Sequence, residues 1–153
     1  MDFPTVEYEM IDEQAKIGYL WLRNFNQQAE ERTGAALRDL KAQGMKALLL
    51  DLSTDPGGIL DAATGVASLF LDGGPVVYIK GRDSEPIAMN ASPGTLIGDD
   101  IPLVVLVDPG SASASEIVAA ALKERGRAEL LPPRDQPGRR ADRGPSGSER
   151  RAG

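Results

Sequence analysis

Leu103-Val104-Val105-Leu106-Val107 runs straight into Asp108-Pro109-Gly110-Ser111-Ala112-Ser113-Ala114-Ser115-Glu116. Five apolar residues rich in β-branched valine read as a strand buried on both faces, the kind found inside a parallel sheet. Asp108-Pro109-Gly110 ends that run, and from about Ser113 to Arg125 the apolar positions Ile117, Ala120 and Ala121 recur at helical spacing. The same order of strand, turn and helix occurs upstream. Ala47 to Leu52 is continuously apolar until Asp51, enters the turn Ser53-Thr54-Asp55-Pro56-Gly57-Gly58, and precedes a helix with Leu60, Ala63, Ala67, Phe70 and Leu71 on one face, which Gly73-Gly74 ends. Two such units predict an α/β domain whose functional loops gather at the carboxyl ends of the strands.

Outward from these units, Thr5 to Ile11 and Ile17 to Leu22 are β-prone runs joined by Asp12-Glu13-Gln14-Ala15-Lys16, as expected of a hairpin or short meander. Gln28 to Gln43 carries Ala29, Ala36, Leu37 and Leu40 at helical spacing, with Gly44 as its stop. Pro75 to Ile79 reads as a short strand, and Lys80 to Asp100 is polar and turn-rich with no periodicity to assign.

Composition removes several function classes. The chain has 153 residues with 41% hydrophobic content, enough for one domain with an apolar core. It contains neither cysteine nor histidine, which excludes disulfides, thiol nucleophiles, His- or Cys-based zinc sites and a Ser-His-Asp triad. No metal or other cofactor is expected. The apolar runs, such as Ala47 to Leu50, fall far short of the roughly 20 residues of a membrane-spanning helix. Met1-Asp2-Phe3-Pro4 lacks the basic-then-apolar pattern of a secretory signal. A formal charge of −6 argues against nucleic acid as a partner.

The charge is uneven. Residues 127–153 hold seven arginines and four acids, leaving −9 on the first 126 residues. From Pro132 onward the apolar side chains are Ala141 and Ala152, too few to offset ordering entropy, so residues 129–153 are expected to be a disordered Arg/Pro/Gly-rich tail behind a domain at 1–128.

Ser113 and Glu116 stand at capping-box spacing, which by itself describes a helix start. A serine there also has its hydroxyl exposed beside unpaired backbone N–H groups able to hold a developing oxyanion. Asp55-Pro56-Gly57-Gly58 is by itself a tight turn, yet paired glycines let a substrate carbonyl approach the backbone and offer a second N–H.

Taken together, Leu48-Leu49-Leu50-Asp51-Leu52 with Asp55-Pro56-Gly57-Gly58, and Pro102 to Asp108 with Gly110-Ser111-Ala112-Ser113-Ala114-Ser115-Glu116, resemble the catalytic core of carboxyl-terminal processing (tail-specific) serine peptidases. The resemblance extends over about Tyr8 to Ala128, with Gln43-Gly44-Met45-Lys46 and Gly126-Arg127-Ala128 as further points of likeness. It implies a crotonase-like core and a Ser/Lys dyad acting on unstructured protein C-termini in the bacterial cell envelope. It places the nucleophile at Ser113, the oxyanion donors at the N–H groups of Ala114 and Gly58, and a possible assisting carboxylate at Glu124, which is otherwise a solvated helix charge.

The chain departs from that pattern in its base. The family carries a lysine about 25 residues after the serine, where this sequence has Gly138, and no lysine follows Lys123. Lys123 lies ten residues along the same helix, about 15 Å at 1.5 Å per residue. Lys16, Lys41, Lys46 and Lys80 read as solvated charges, and a tail arginine is too basic to serve. The family's PDZ domain is also missing, and the tail reads as an out-of-frame or disrupted gene end. The expectation is therefore a truncated peptidase core, inactive alone and prone to self-association through an uncovered sheet edge. A non-catalytic peptide-binding fragment or pseudoenzyme and, more distantly, a crotonase-type acyl-CoA enzyme are the alternatives.

Overall fold

The structure, a computed structural model, describes residues 4–80 and 85–131. Strands β1 (Val6–Asp12) and β2 (Ile17–Leu22) form the expected hairpin, with the turn closed by Asp12 Oδ1 accepting the Gln14 and Ala15 N–H groups at 3.0 and 2.8 Å. Helix α1 (Ala29–Ala42) returns the chain to β3 (Ala47–Asp51), which pairs parallel with β2. Helix α2 (Leu60–Ser68), the hairpin of β4 (Pro75–Ile79) and β5 (Ile87–Asn90), and β6 (Leu103–Leu106) follow. Helix α3 (Ala114–Glu124) then leads to β7 (Ala128–Leu131). The main sheet has the order β1-β2-β3-β6-β7, antiparallel at the hairpin and parallel elsewhere.

Alternation explains which side chains enter the core. Leu20 and Leu22 on β2, Leu48 and Leu50 on β3, and Leu103 and Val105 on β6 point to one face, where Leu37 and Leu40 of α1, Val66 and Ala67 of α2, and Val118 and Leu122 of α3 meet them. Each fully buried leucine contributes about 1.5–3 kcal/mol. At β3 and β6 the register Leu48↔Leu103 to Asp51↔Leu106 makes the two strands end level with one another. Their exit turns, residues 52–59 and 107–113, therefore lie side by side.

Two sequence expectations change. The segment Lys80 to Asp100 contains β5, whose short run Ile87–Asn90 forms a two-stranded sheet with β4 that carries the exposed side chains Tyr78, Ile79 and Ile87. The boundary expected at Ala128 moves outward, because Ala128–Leu131 pairs in parallel register with Leu103–Leu106 and covers the β6 edge. Arg127, counted by composition with the basic tail, is 8% exposed, and its Nη2 donates to the carbonyls of Ile97, Gly98 and Ile101 at 3.1, 2.7 and 2.9 Å. Position 138 and the rest of the expected tail lie outside the described residues.

Candidate active site

The two exit turns are joined by a dense set of hydrogen bonds. Asp108 Oδ1 accepts the N–H groups of Thr54 at 2.8 Å and Gly110 at 2.9 Å. Ser111 Oγ donates to the Leu52 carbonyl at 2.6 Å. The Asp55 carbonyl accepts both the Ala112 N–H and the Ser115 hydroxyl, each at 3.0 Å. Glycine is required where the turns touch: a Cβ on Gly57 would sit 2.5 Å from Ser113 Cβ and 2.7 Å from the Ala112 carbonyl.

Ser113 is exposed at the start of α3 with φ 57 and ψ −118, one of three non-glycine residues with positive φ among the described residues. A β-carbon in that region costs on the order of 1–3 kcal/mol and persists where the surroundings over-determine it. Ser113 and Glu116 form the expected capping box, whose firm arm is the Ser113 N–H donating to Glu116 Oε1 at 2.9 Å. Glu116 thus holds the backbone of Ser113, which lines a cavity beside the helix start.

Planarity of the peptide bond directs the glycine donor. Gly57 donates its own N–H to Asp55 Oδ1 at 2.8 Å, so that group is already engaged. The Gly57 carbonyl accepts the Phe25 N–H at 2.9 Å, and the trans peptide turns the Gly58 N–H the opposite way, away from Phe25. The N–H groups of Gly58 and Ala114 have no acceptor among the described residues. Gly58 lies in the exit turn of β3 and Ala114 is the first residue of α3, directly after Ser113, which leaves two donors able to bind a developing negative charge.

Beside Ser113 lies a cavity of about 600 Å³, floored by Ile117, Ala120 and Ala121 of α3 and walled by Pro75 to Tyr78 of β4. Glu124 lines its far end, eleven residues and about 16 Å along the helix axis from Ser113. Glu116, which sequence reasoning treated only as a cap, is the carboxylate bonded to the Ser113 backbone. The described lysines have other settings: Lys16 pairs with Glu13 at 3.6 Å, Lys41 Nζ donates to the Leu96 carbonyl at 3.0 Å, and Lys46, Lys80 and Lys123 are exposed.

Two contributors were not foreseen. Phe25, fully buried, pins the glycine turn through its main chain, a role that only a tertiary contact creates. Asp55 is also wholly buried, and burial pushes its carboxyl up from 3.8 to about 7 despite the Gly57 N–H that favours its charged form. The Asp-Pro-Gly-Gly signal located that turn without revealing its burial. Among the described residues there is no cluster of three or more acidic side chains able to hold a metal, and no helix long and apolar enough to cross a membrane.

Comparison with known proteins gives the family. The sequence profile of peptidase family S41 matches residues 16–138. A carboxyl-terminal-processing protease of Picosynechococcus sp. is 40% identical over 128 residues, covering 81% of this chain and 30% of the relative. Carboxyl-terminal-processing peptidase 3, chloroplastic, of Arabidopsis thaliana is 42% identical over 118 residues, covering 76% of this chain and 22% of the relative. The solved structure of a photosystem II D1 C-terminal processing protease superposes with a TM-score of 0.75 at 29% identity, over 85% of this chain and 36% of that one. The chain thus spans less than a third of the length of these curated relatives. A match running from β2 through both exit turns and α3 is what common descent produces, and the chain belongs to peptidase family S41, a family of serine peptidases.

Proposed function

We propose that this chain carries the nucleophile and the oxyanion donors of a serine endopeptidase acting on the unstructured carboxyl-terminal segments of proteins. The observation that carries the reading is the strained Ser113 at a helix start, next to Ala114, whose N–H, like that of Gly58 in the adjoining turn, has no acceptor among the described residues. Ser113 Oγ would attack the peptide carbonyl while its proton passes to a base. The carbonyl oxygen would then take negative charge between the two N–H groups, and the amine would leave with a proton to give an acyl-enzyme. Support for the substrate class comes from the relatives named as carboxyl-terminal-processing proteases. Their bacterial and chloroplastic sources are consistent with a cell-envelope setting for a bacterial copy.

The sequence has no lysine after Lys123, where the resemblance places the base. No hydrogen bond joins a lysine to Ser113 among the described residues, Lys16 and Lys41 have other partners, and Lys123 is held about 15 Å away by the helix itself. A serine hydroxyl without a base within hydrogen-bond reach is a weak nucleophile, so the 153-residue chain acts as a peptide-binding fragment when alone. The cavity floored by Ile117, Ala120 and Ala121 suits that second reading as well as the first.

A fluorophosphonate probe and an unstructured polypeptide substrate test both parts. Slow labelling that disappears in Ser113→Ala, with peptide binding and no cleavage products, is expected. Labelling unchanged by Ser113→Ala would refute the assignment of the nucleophile, and Ser113-dependent turnover would refute the missing base.

A further inference from the structure

Asp55 has no exposed surface, makes no ion pair among the described residues, and leaves Oδ2 without a hydrogen-bond partner. A buried, half-satisfied carboxyl lowers stability, so its place at the junction of both exit turns points to a role beyond the turn. Its bonds run both ways. Oδ1 accepts the Gly57 N–H at 2.8 Å, while its main-chain oxygen accepts the Ala112 N–H and the Ser115 hydroxyl on either side of Ser113 and Ala114. Asp108 and Ser111 also tie the two turns together, through Thr54 and Leu52, but Asp55 is the residue bonded both to Gly57 and to the residues on either side of Ser113 and Ala114.

We propose that Asp55 is the positioning residue that sets the separation of the Gly58 and Ala114 N–H groups, its carboxylate anchoring the paired-glycine turn and its carbonyl anchoring the serine turn. The inference rests on the reading of those two groups as oxyanion donors. The unpartnered Oδ2 is the atom that takes up a proton, and protonation weakens Oδ1 as an acceptor for Gly57, so the donor pair loosens as pH falls through about 7. The other acids on the two turns are already engaged. Asp51 takes the Tyr19 hydroxyl and the Ser53 N–H, Asp108 takes Thr54 and Gly110, and Glu116 takes the Ser113 N–H.

The test uses amide resonances of the 153-residue chain and of Asp55→Asn and Asp55→Ala, recorded from about pH 5 to 8. In the unchanged chain the Gly57, Gly58 and Ala114 amides are expected to shift together with one midpoint near 7. Asp55→Asn keeps an acceptor of the same shape, so it should keep Gly57 protected from exchange while abolishing the titration. Asp55→Ala should speed Gly57 exchange roughly tenfold or more and displace the Ala114 resonance, with the Leu50 and Val105 amides as protected as before. Titration of Gly57 alone, an Ala114 amide indifferent to Asp55→Ala, or equal loss of protection at Leu50 would each overturn the proposal. The measurement involves no chemistry at Ser113. Coupled amides with an unlabelled Ser113 would remove the peptidase reading and leave the positioning role, and the converse result would do the opposite.

Discussion

Gly57→Ala is the sharpest perturbation the fold offers. The glycine stands at φ +101, and an added Cβ would lie 2.5 Å from Ser113 Cβ, 2.7 Å from the Ala112 carbonyl and 2.9 Å from the Ala114 nitrogen. Two of these atoms are backbone and the third is fixed to it, so none moves cheaply. The backbone conformation alone costs an alanine about 1–2 kcal/mol. Forcing the two turns apart adds about 1–3 kcal/mol, the usual penalty of overpacking. The total, roughly 2–5 kcal/mol, is a large part of the about 5–15 kcal/mol by which domains are stable. Gly44→Ala supplies the control, since Gly44 has a nearly equal φ of +92 with nothing within 4 Å of the added carbon. Because the backbone cost is shared, urea unfolding of both variants should place the Gly57→Ala midpoint lower than the Gly44→Ala midpoint by roughly 0.3–3 M, at a slope of about 1–3 kcal/mol per M. Equal midpoints would mean that the exit turns do not touch as described, and the geometry built on them would fall.

Two further outcomes follow from buried charge. Arg127→Met should destabilise the chain by about 3 kcal/mol, because three carbonyls lose their donor, and hydrogen exchange near Ile97 to Ile101 should rise first; an unchanged urea midpoint would refute that role. Folded Asp55 keeps its proton up to about pH 7, whereas the unfolded carboxyl loses it near 3.8. The native state therefore binds the extra proton in that window, and stability falls as pH rises through it and levels off above. The difference in Tm between the unchanged chain and Asp55→Asn, which cancels the other carboxyls, should move against the unchanged chain from about pH 4 to about pH 7 and a flat difference would refute the assignment.

Local signals were sufficient for most elements. Ile17–Leu22 and Pro75–Ile79 are strands with the boundaries read from pattern alone, and α1 and α3 differ by a residue or so at their ends. Their periodicity and stop residues act within the segment itself. The strand–turn–helix repeat and the run around Ser113 likewise carried the family. Ala128–Leu131 was beyond such reading, because four residues following a basic, polar transition become a strand only when β6 offers a paired edge.

What the residue order determined by itself is the α/β alternation, the serine at a helix start, the paired glycines and the absence of any lysine after Lys123. Tertiary structure alone decided which glycine N–H remains open, since that depends on Phe25 and Asp55 reaching Gly57. It also decided that Asp55 and Arg127 are buried, since a side chain's solvation depends on what packs over it, and neither its type nor its neighbours in sequence record that.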